Sequence, residues 1–298
     1  MKKQDMGMRR LSFTVMLILS LFALLPFVLL VIASFTDSAA VTANGFSFFP
    51  EKWSLSAYKY ILDEWEMIGQ AYLVTIFVTV VGTLLSLVIT SMLGYALSIQ
   101  GLPGKSVIML VLMIAMLFNG GVVATYIVYT NLVHIKDTIW ALIIPNLLMS
   151  VFNVILVKNY FSTSIPPSLR EAAYLDGAGE LRIFKDVILP LSKPILATIG
   201  MMTVISYWND WTNGLYYLSD RYGSQYYTIQ LILNRINENV SYLTSHSAEL
   251  GASVSAADLP TATIRMAIAV VGILPIMIAY PFFQDYFVKG ITVGAVKE

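Results

Sequence analysis

Few residues in this chain have the types and spacing that chemistry requires. The stretch GLPGKS, residues 101–106, sets Gly104, Lys105 and Ser106 in the order of a phosphate-cradling loop. In such a loop backbone N–H groups, a lysine and a hydroxyl hold nucleotide phosphates and magnesium. The pattern also needs a glycine at 99 and a strand leading in. Position 99 is Ile99 and long apolar runs lie on both sides. ATP binding or hydrolysis by this chain is therefore not expected. There is no cysteine, which removes disulfides, thiolate metal sites and a thiolate nucleophile together. His134 and His246 fall in polar connections, as ordinary loop histidines do. Ionisable groups inside the apolar runs are nearly absent, with Asp210 near one end of a run. A proton- or sodium-coupled carrier would need such groups within the membrane.

What the apolar runs do contain is aromatic rings and amides. Tyr207, Trp208, Asn209, Asp210, Trp211 and Asn213 cluster in YWNDWTN. Trp208 and Trp211, three apart, would share a helix face. Asn146 and Asn153, seven apart, would share another, and Asn119 and Tyr126 lie in a neighbouring run. Aromatic faces and neutral hydrogen-bonding groups suit the apolar C–H faces and many hydroxyls of a sugar. Each of these residues has a plainer reading as well: hydrogen bonding between helices, or the aromatic belt at the membrane surface. The cluster as a whole is read as a pore or its outer gate. Asn119-Gly120-Gly121 interrupts its run, either as a break at a binding site or as close helix packing.

These residues are carried by a chain made for lipid. Charged residues are 12% of 298 and mean hydropathy is +0.74, against about 25% charged in soluble domains. The class is an all-α integral membrane protein. About six stretches are long enough to span, near 11–35, 71–98, 106–130, 138–160, 194–213 and 264–288. The first is too long for a cleaved signal and is read as a retained span. Of the 18 Lys and Arg residues, twelve fall on the side that holds both termini and six on the other, so the termini are expected in the cytoplasm. Net charge is zero, which gives no reason to expect a nucleic-acid partner. One domain, 1–298, is expected.

One polar stretch stands between apolar runs: EAAYLDGAGELRIFKDVILP, residues 171–190. Pro166 and Pro167 stop the preceding span. Ser168 and Glu171 have the spacing of a capping box at a helix start. Gly177 can take the left-handed conformation that ends a helix and turns the chain. A second helix can begin near Glu180, with Leu181, Phe184 and Ile188 on one face, until Pro190 and Pro194 open the next span. The expectation is a helix–turn–helix over 166–190 on the cytoplasmic surface. Ala172 and Ala173 leave room for a partner, and Arg170, Glu171, Arg182 and Lys185 offer it charges. A surface helix resting on lipid headgroups is the alternative.

The same residues resemble a known signature. Glu171, Ala172, Ala173, Gly177, Val187, Leu189 and Pro190 follow the pattern E-A-A-x-x-x-G, nine residues, I-x-L-P, with valine in place of isoleucine. That pattern marks the membrane subunits of binding-protein-dependent ABC importers. SLSAYKYIL (54–62), YWNDWTNGLYYL (207–218) and the ending QDYFVKGITVGAVKE (284–298) are similar to the carbohydrate, maltose-type branch. The likeness covers most of the chain and is weakest over 214–263. It implies that the helix pair docks in a cleft of an ATPase and passes its movement to the spans. Glu171 would orient on that surface, and residues 289–298 would reach between the ATPases. It also implies a second, homologous permease, two cytosolic ATPases that bind ATP and magnesium, and an external sugar-binding protein. This chain would itself carry no cofactor and catalyse no covalent step. An importer of a non-sugar solute, an ion-coupled carrier and a membrane scaffold without transport are the competing readings.

Overall fold

The computed structural model describes the backbone of residues 2–118, 120–245 and 261–295, with side chains over 7–118, 120–236, 238, 262–278 and 281. Every regular element among the described residues is a helix; extended backbone meets in an isolated bridge between Thr36 and Trp53. The order begins with α1 (Lys2–Ser34), α2 (Ser38–Asn44), α3 (Ser56–Asp63) and α4 (Trp65–Ser98). Next come α5 (Lys105–Leu117), α6 (Gly121–Ile127), α7 (Trp140–Ile143) and α8 (Val151–Ser164). Then follow α9 (Pro167–Leu175), α10 (Glu180–Ile183), α11 (Leu189–Leu191) and α12 (Lys193–Trp208). Last are α13 (Thr212–Tyr217), α14 (Ile229–Ser245) and α15 (Thr261–Ala295).

Helices α1, α4 and α15 carry three of the expected spans unbroken. Gly7–Ser34 and Trp65–Ser98 are each long and apolar enough to cross a membrane alone. At 1.5 Å per residue the 34 residues of α4 run to about 50 Å, well beyond a hydrocarbon layer of about 30 Å. The other three expected spans are interrupted. The run 106–130 breaks between α5 and α6, where Gly121 takes φ +78°. A Cβ at Gly121 would meet nothing within 4 Å, so a turn, and not close packing, explains this glycine. The run 138–160 is not one helix: α7 stops at Ile143 and α8 starts at Val151, with Pro145 and Asn146 (φ +60°) between them. The run 194–213 divides into α12 and α13. Before α12 the chain bends by 82° between Glu180–Leu191 and Lys193–Trp208.

By packing, the chain forms two compact units, 1–68 with 232–275 and 69–231 with 276–298. In the first, Asp37 caps α2 by accepting from the Ala39 N–H and pairs with Lys52 at 3.2 Å. Phe35 stacks on Tyr58 at 4.7 Å, and Ser38 shares a hydrogen bond with Thr263. In the second, α4 is the axis. One apolar cluster gathers Tyr95, Phe161, Ile165, Ile183, Ile188 and Ile195 near its C-terminus. Another gathers Val78, Leu142, Ile143, Tyr207, Leu218 and Leu231 nearer its N-terminus. Glycines let neighbours close on α4: a Cβ at Gly82 would lie 2.4 Å from the Tyr207 ring, and one at Gly94 would lie 2.7 Å from Val157.

Candidate functional site

The polar stretch forms a helix–turn–helix. Pro166 is extended (φ −58°, ψ 130°), as a residue before proline prefers. Pro167 opens α9, where its missing N–H is no loss. This arrangement displaces the expected capping box. The cap position belongs to Pro166, which has no side-chain acceptor, so Ser168 lies within the first turn and forms no cap with Glu171. At the other end Gly177 has φ +79°. The Ala178 N–H donates to the Ala173 carbonyl and the Gly177 N–H to that of Tyr174, each at 3.0 Å. These two bonds are the 6→1 and 5→2 pair of a Schellman turn.

The second helix departs from 3.6 periodicity. After α10 the backbone widens into a π-helical stretch, Phe184–Ile188. That winding brings residues five apart together, so Ile183 and Ile188 face the core. Leu181, expected on that face, is 75% exposed. Val187 and Leu189 are half-buried, Val187 against the same core, and Pro190 is exposed. Glu171 and Ala172 are exposed and Ala173 is packed inward. Tyr174, Leu175 and Leu181 leave large apolar groups in the open.

The contact that fixes this hairpin to the membrane helices could not be read from the signature. Glu180 accepts from the Tyr95 hydroxyl of α4 and pairs with Arg170 of α9 at 3.0 Å. The Tyr95 hydrogen bond is the main effect holding the Glu180 carboxyl below the ordinary glutamate range; burial opposes it, and Arg170 adds to the lowering. Tyr95 also packs on Phe184 at 5.2 Å and edge-on to Phe161. One tyrosine thus ties a long span to both arms of the hairpin. Its only sequence signal was a polar group close to the end of an apolar run.

Towards the other end of α4 the residues expected along a pathway separate into two sets. Tyr207, Trp208, Asn153 and Asn213 are buried. The Tyr207 hydroxyl donates to the Ile143 carbonyl at 2.8 Å, and Asn213 Nδ2 donates to the Pro145 carbonyl at 3.0 Å. Those two carbonyls border the break between α7 and α8, outside the helical pattern, and that of Pro145 also accepts from the Leu147 N–H at 2.8 Å. Asn146 is exposed at the break itself, and the break removes the face it was expected to share with Asn153. Trp208 and Trp211 share no helix face either, because α12 ends at Trp208. Asp210 accepts from the Thr212 and Asn213 N–H groups and restarts the chain as α13. Trp211 is 39% exposed and Asn209 is exposed. Tyr126 stacks on Tyr217 at 5.9 Å with Lys136 over its ring. Asn119 lies outside the described residues.

Nearby, sequence reasoning passed over Asp137. In a left-handed conformation (φ 56°), it accepts from both the N–H and the hydroxyl of Ser219 and donates its own N–H to the Tyr217 carbonyl. The stretch GLPGKS is a turn between two helices, with Gly101 and Gly104 both at positive φ. No group of His, Cys, Asp and Glu able to hold a metal occurs among the described residues.

Apolar helices broken at intervals, joined by a polar helix–turn–helix, define a membrane permease subunit. Comparison with known proteins agrees. Residues 91–293 match the family described as the inner membrane component of binding-protein-dependent transport systems, and the chain belongs to that family. It is 38% identical to the polygalacturonan/rhamnogalacturonan transport system permease protein YtcP of Bacillus subtilis, over 95% of each chain. It is 35% identical to Protein LplC of the same organism, over 92% of this chain and 89% of that one. Among solved structures it resembles a bacterial ABC transporter involved in the import of the acidic polysaccharide alginate. The TM-score is 0.77 and identity 31%, over 96% of this chain and 98% of that one. The fold is that of an ABC importer permease. Membership implies a place in the membrane, a substrate-binding protein and an ATPase in other chains, and no ATPase site in this one.

Proposed function

We propose that this chain is one of two homologous permease subunits of a sugar importer, crossing the membrane about six times as a single permease domain with both termini in the cytoplasm. The helix–turn–helix of 166–190 docks on one of two cytosolic ATPases, which bind the ATP and magnesium. An external binding protein delivers the sugar, and movement of the hairpin switches the pathway between outward and inward access. The observation that carries this reading is the Gly177 turn. It presents Glu171 and the exposed Tyr174, Leu175 and Leu181 on a short rigid arm, and the Tyr95–Glu180–Arg170 contact fastens that arm to α4.

Along the pathway, exposed Asn146, Asn209 and Trp211 are the contacts for sugar. Buried Tyr207 and Asn213 position them by holding the broken helix. The names of two relatives, polygalacturonan and alginate, denote carboxylate-bearing polysaccharides. Lys136 over Tyr126 and Arg221 over Tyr222 provide exposed cations beside aromatic faces, which suits uronate chains better than neutral ones. The test is the purified assembly reconstituted with its binding protein. ATP hydrolysis should rise with a binding protein loaded with oligogalacturonate and much less with a neutral arabino-oligosaccharide. Failure of any ATPase to co-purify overturns the importer reading. Equal stimulation by the two sugars overturns the preference for acidic ones.

A further inference from the structure

Between the hairpin and the membrane helices lies a cavity of about 670 Å³, within the range of about 300–1,000 Å³ common for small-molecule sites. Its walls come from the C-terminal end of α4, the start of α5, the last turns of α8, and α9. Phe161, Ile165 and Ile188, with Tyr174 and Leu175 of α9, contribute its apolar lining, and Lys105 and Lys158 face it as half-buried cations. Lys105 donates to the Ile99 carbonyl and Lys158 to the Asn159 side chain, each at 3.2 Å. Neither amine lies within ion-pair distance of a carboxylate among the described residues. An ammonium has three donors, so each lysine retains capacity for an anion.

We propose that this cavity binds the phosphodiester headgroup of an anionic phospholipid. Three observations favour that ligand. Lys105 is the first residue of an apolar helix, so the cations sit at the boundary between polar and apolar chain, where headgroups lie. The other charges on the walls are Arg170 and Glu180, which neutralise each other, and Glu171. Two lysines against one glutamate leave a single positive charge. This matches the single negative charge of a phosphodiester better than the two of free phosphate or the several of a nucleotide. The apolar wall gives the glycerol and upper acyl carbons a surface that a soluble anion could not use. Arg170 and Glu180 form both the cavity wall and the tie to Tyr95, so a bound headgroup would brace the hairpin against α4.

The test uses the full assembly in nanodiscs of phosphatidylcholine, with or without phosphatidylglycerol. Its readouts are the phosphatidylglycerol retained, by native mass spectrometry, and hydrolysis stimulated by loaded binding protein. With about 1 kcal/mol of attraction per basic residue near an anionic surface, Lys105→Gln with Lys158→Gln should weaken retention roughly 30-fold. It should also abolish the lipid's effect on hydrolysis and leave the rate in phosphatidylcholine unchanged. Lys105→Arg with Lys158→Arg, which keeps the charge, should behave as wild type. Equal retention by the glutamine variant overturns the site. Inorganic phosphate that reproduces the full effect in phosphatidylcholine overturns the lipid as its source. Retention can also be measured on the full-length permease alone, which separates failure of this site from failure of the importer reading on which the hydrolysis readout rests.

Discussion

Gly177 is the residue on which the hairpin turns, and its φ of +79° sets the outcome of substitution. An added Cβ would meet no neighbour within 4 Å, so the penalty is conformational and not steric crowding. Gly177→Val should cost about 1–2 kcal/mol of local stability and cut uptake sharply, while Gly177→Asn, tolerant of that conformation, should retain most of it. Radiolabelled sugar uptake in cells with equal membrane levels of each variant checks this. Glu180 is the second decisive residue. Its carboxyl is held below its ordinary value of 4.5, chiefly by the Tyr95 hydroxyl. A carboxyl lowered in the folded state contributes stability above its unfolded value and loses it as pH falls through the folded one. Protease protection of the hairpin should therefore stay flat from neutral pH down to about 4.5 and decline below it. Glu180→Gln should be insensitive over that acid range, and an equal acid decline in this variant would remove Glu180 as the cause.

Broken helices decide the behaviour at the scale of elements. The interruption between α7 and α8 takes backbone carbonyls out of the helical pattern; Tyr207 supplies the donor to that of Ile143, and Asn213 joins the Leu147 N–H on that of Pro145. Tyr207→Phe leaves the Ile143 carbonyl without its donor and should lower stability by about 1–3 kcal/mol. Trp211→Ala removes an exposed ring and should leave the melting temperature unchanged while slowing sugar transport. Thermal unfolding of the purified protein beside uptake separates the two roles. A melting temperature that falls equally in both variants would show Trp211 to be structural as well. The crossing of α4 and α12 offers an independent check. Gly82→Val would drive a Cβ to 2.4 Å from the Tyr207 ring, an overpacking expected to cost about 1–3 kcal/mol, seen as lower yield of folded protein.

At the scale of the whole molecule, the chain belongs to a family of permease subunits whose ATPase lies in another chain. The proposed docking surface is the hairpin, where Tyr174, Leu175 and Leu181 are exposed large apolar groups. Removing two of those apolar groups, Leu175→Ser with Leu181→Ser, should reduce ATPase co-purification severalfold without altering membrane insertion. Unchanged co-purification would move the docking surface elsewhere. The membrane class followed from composition alone, because scarcity of charge over 298 residues admits no other solvent. The hairpin was equally legible: paired prolines, a glycine at the right offset and a polar stretch are local signals, and local backbone preferences read them directly. The capping box was not, because the restriction that Pro167 places on Pro166 outweighed the side-chain pattern of Ser168 and Glu171. Nor were Leu181, the shared faces of Trp208 with Trp211 and of Asn146 with Asn153, or the Tyr95–Glu180 tie. Those depend on where a helix widens or stops and on which distant groups then come within reach. Periodicity assumes unbroken helices, and only tertiary packing decides where buried carbonyls can find donors outside their own helix and so let a helix break.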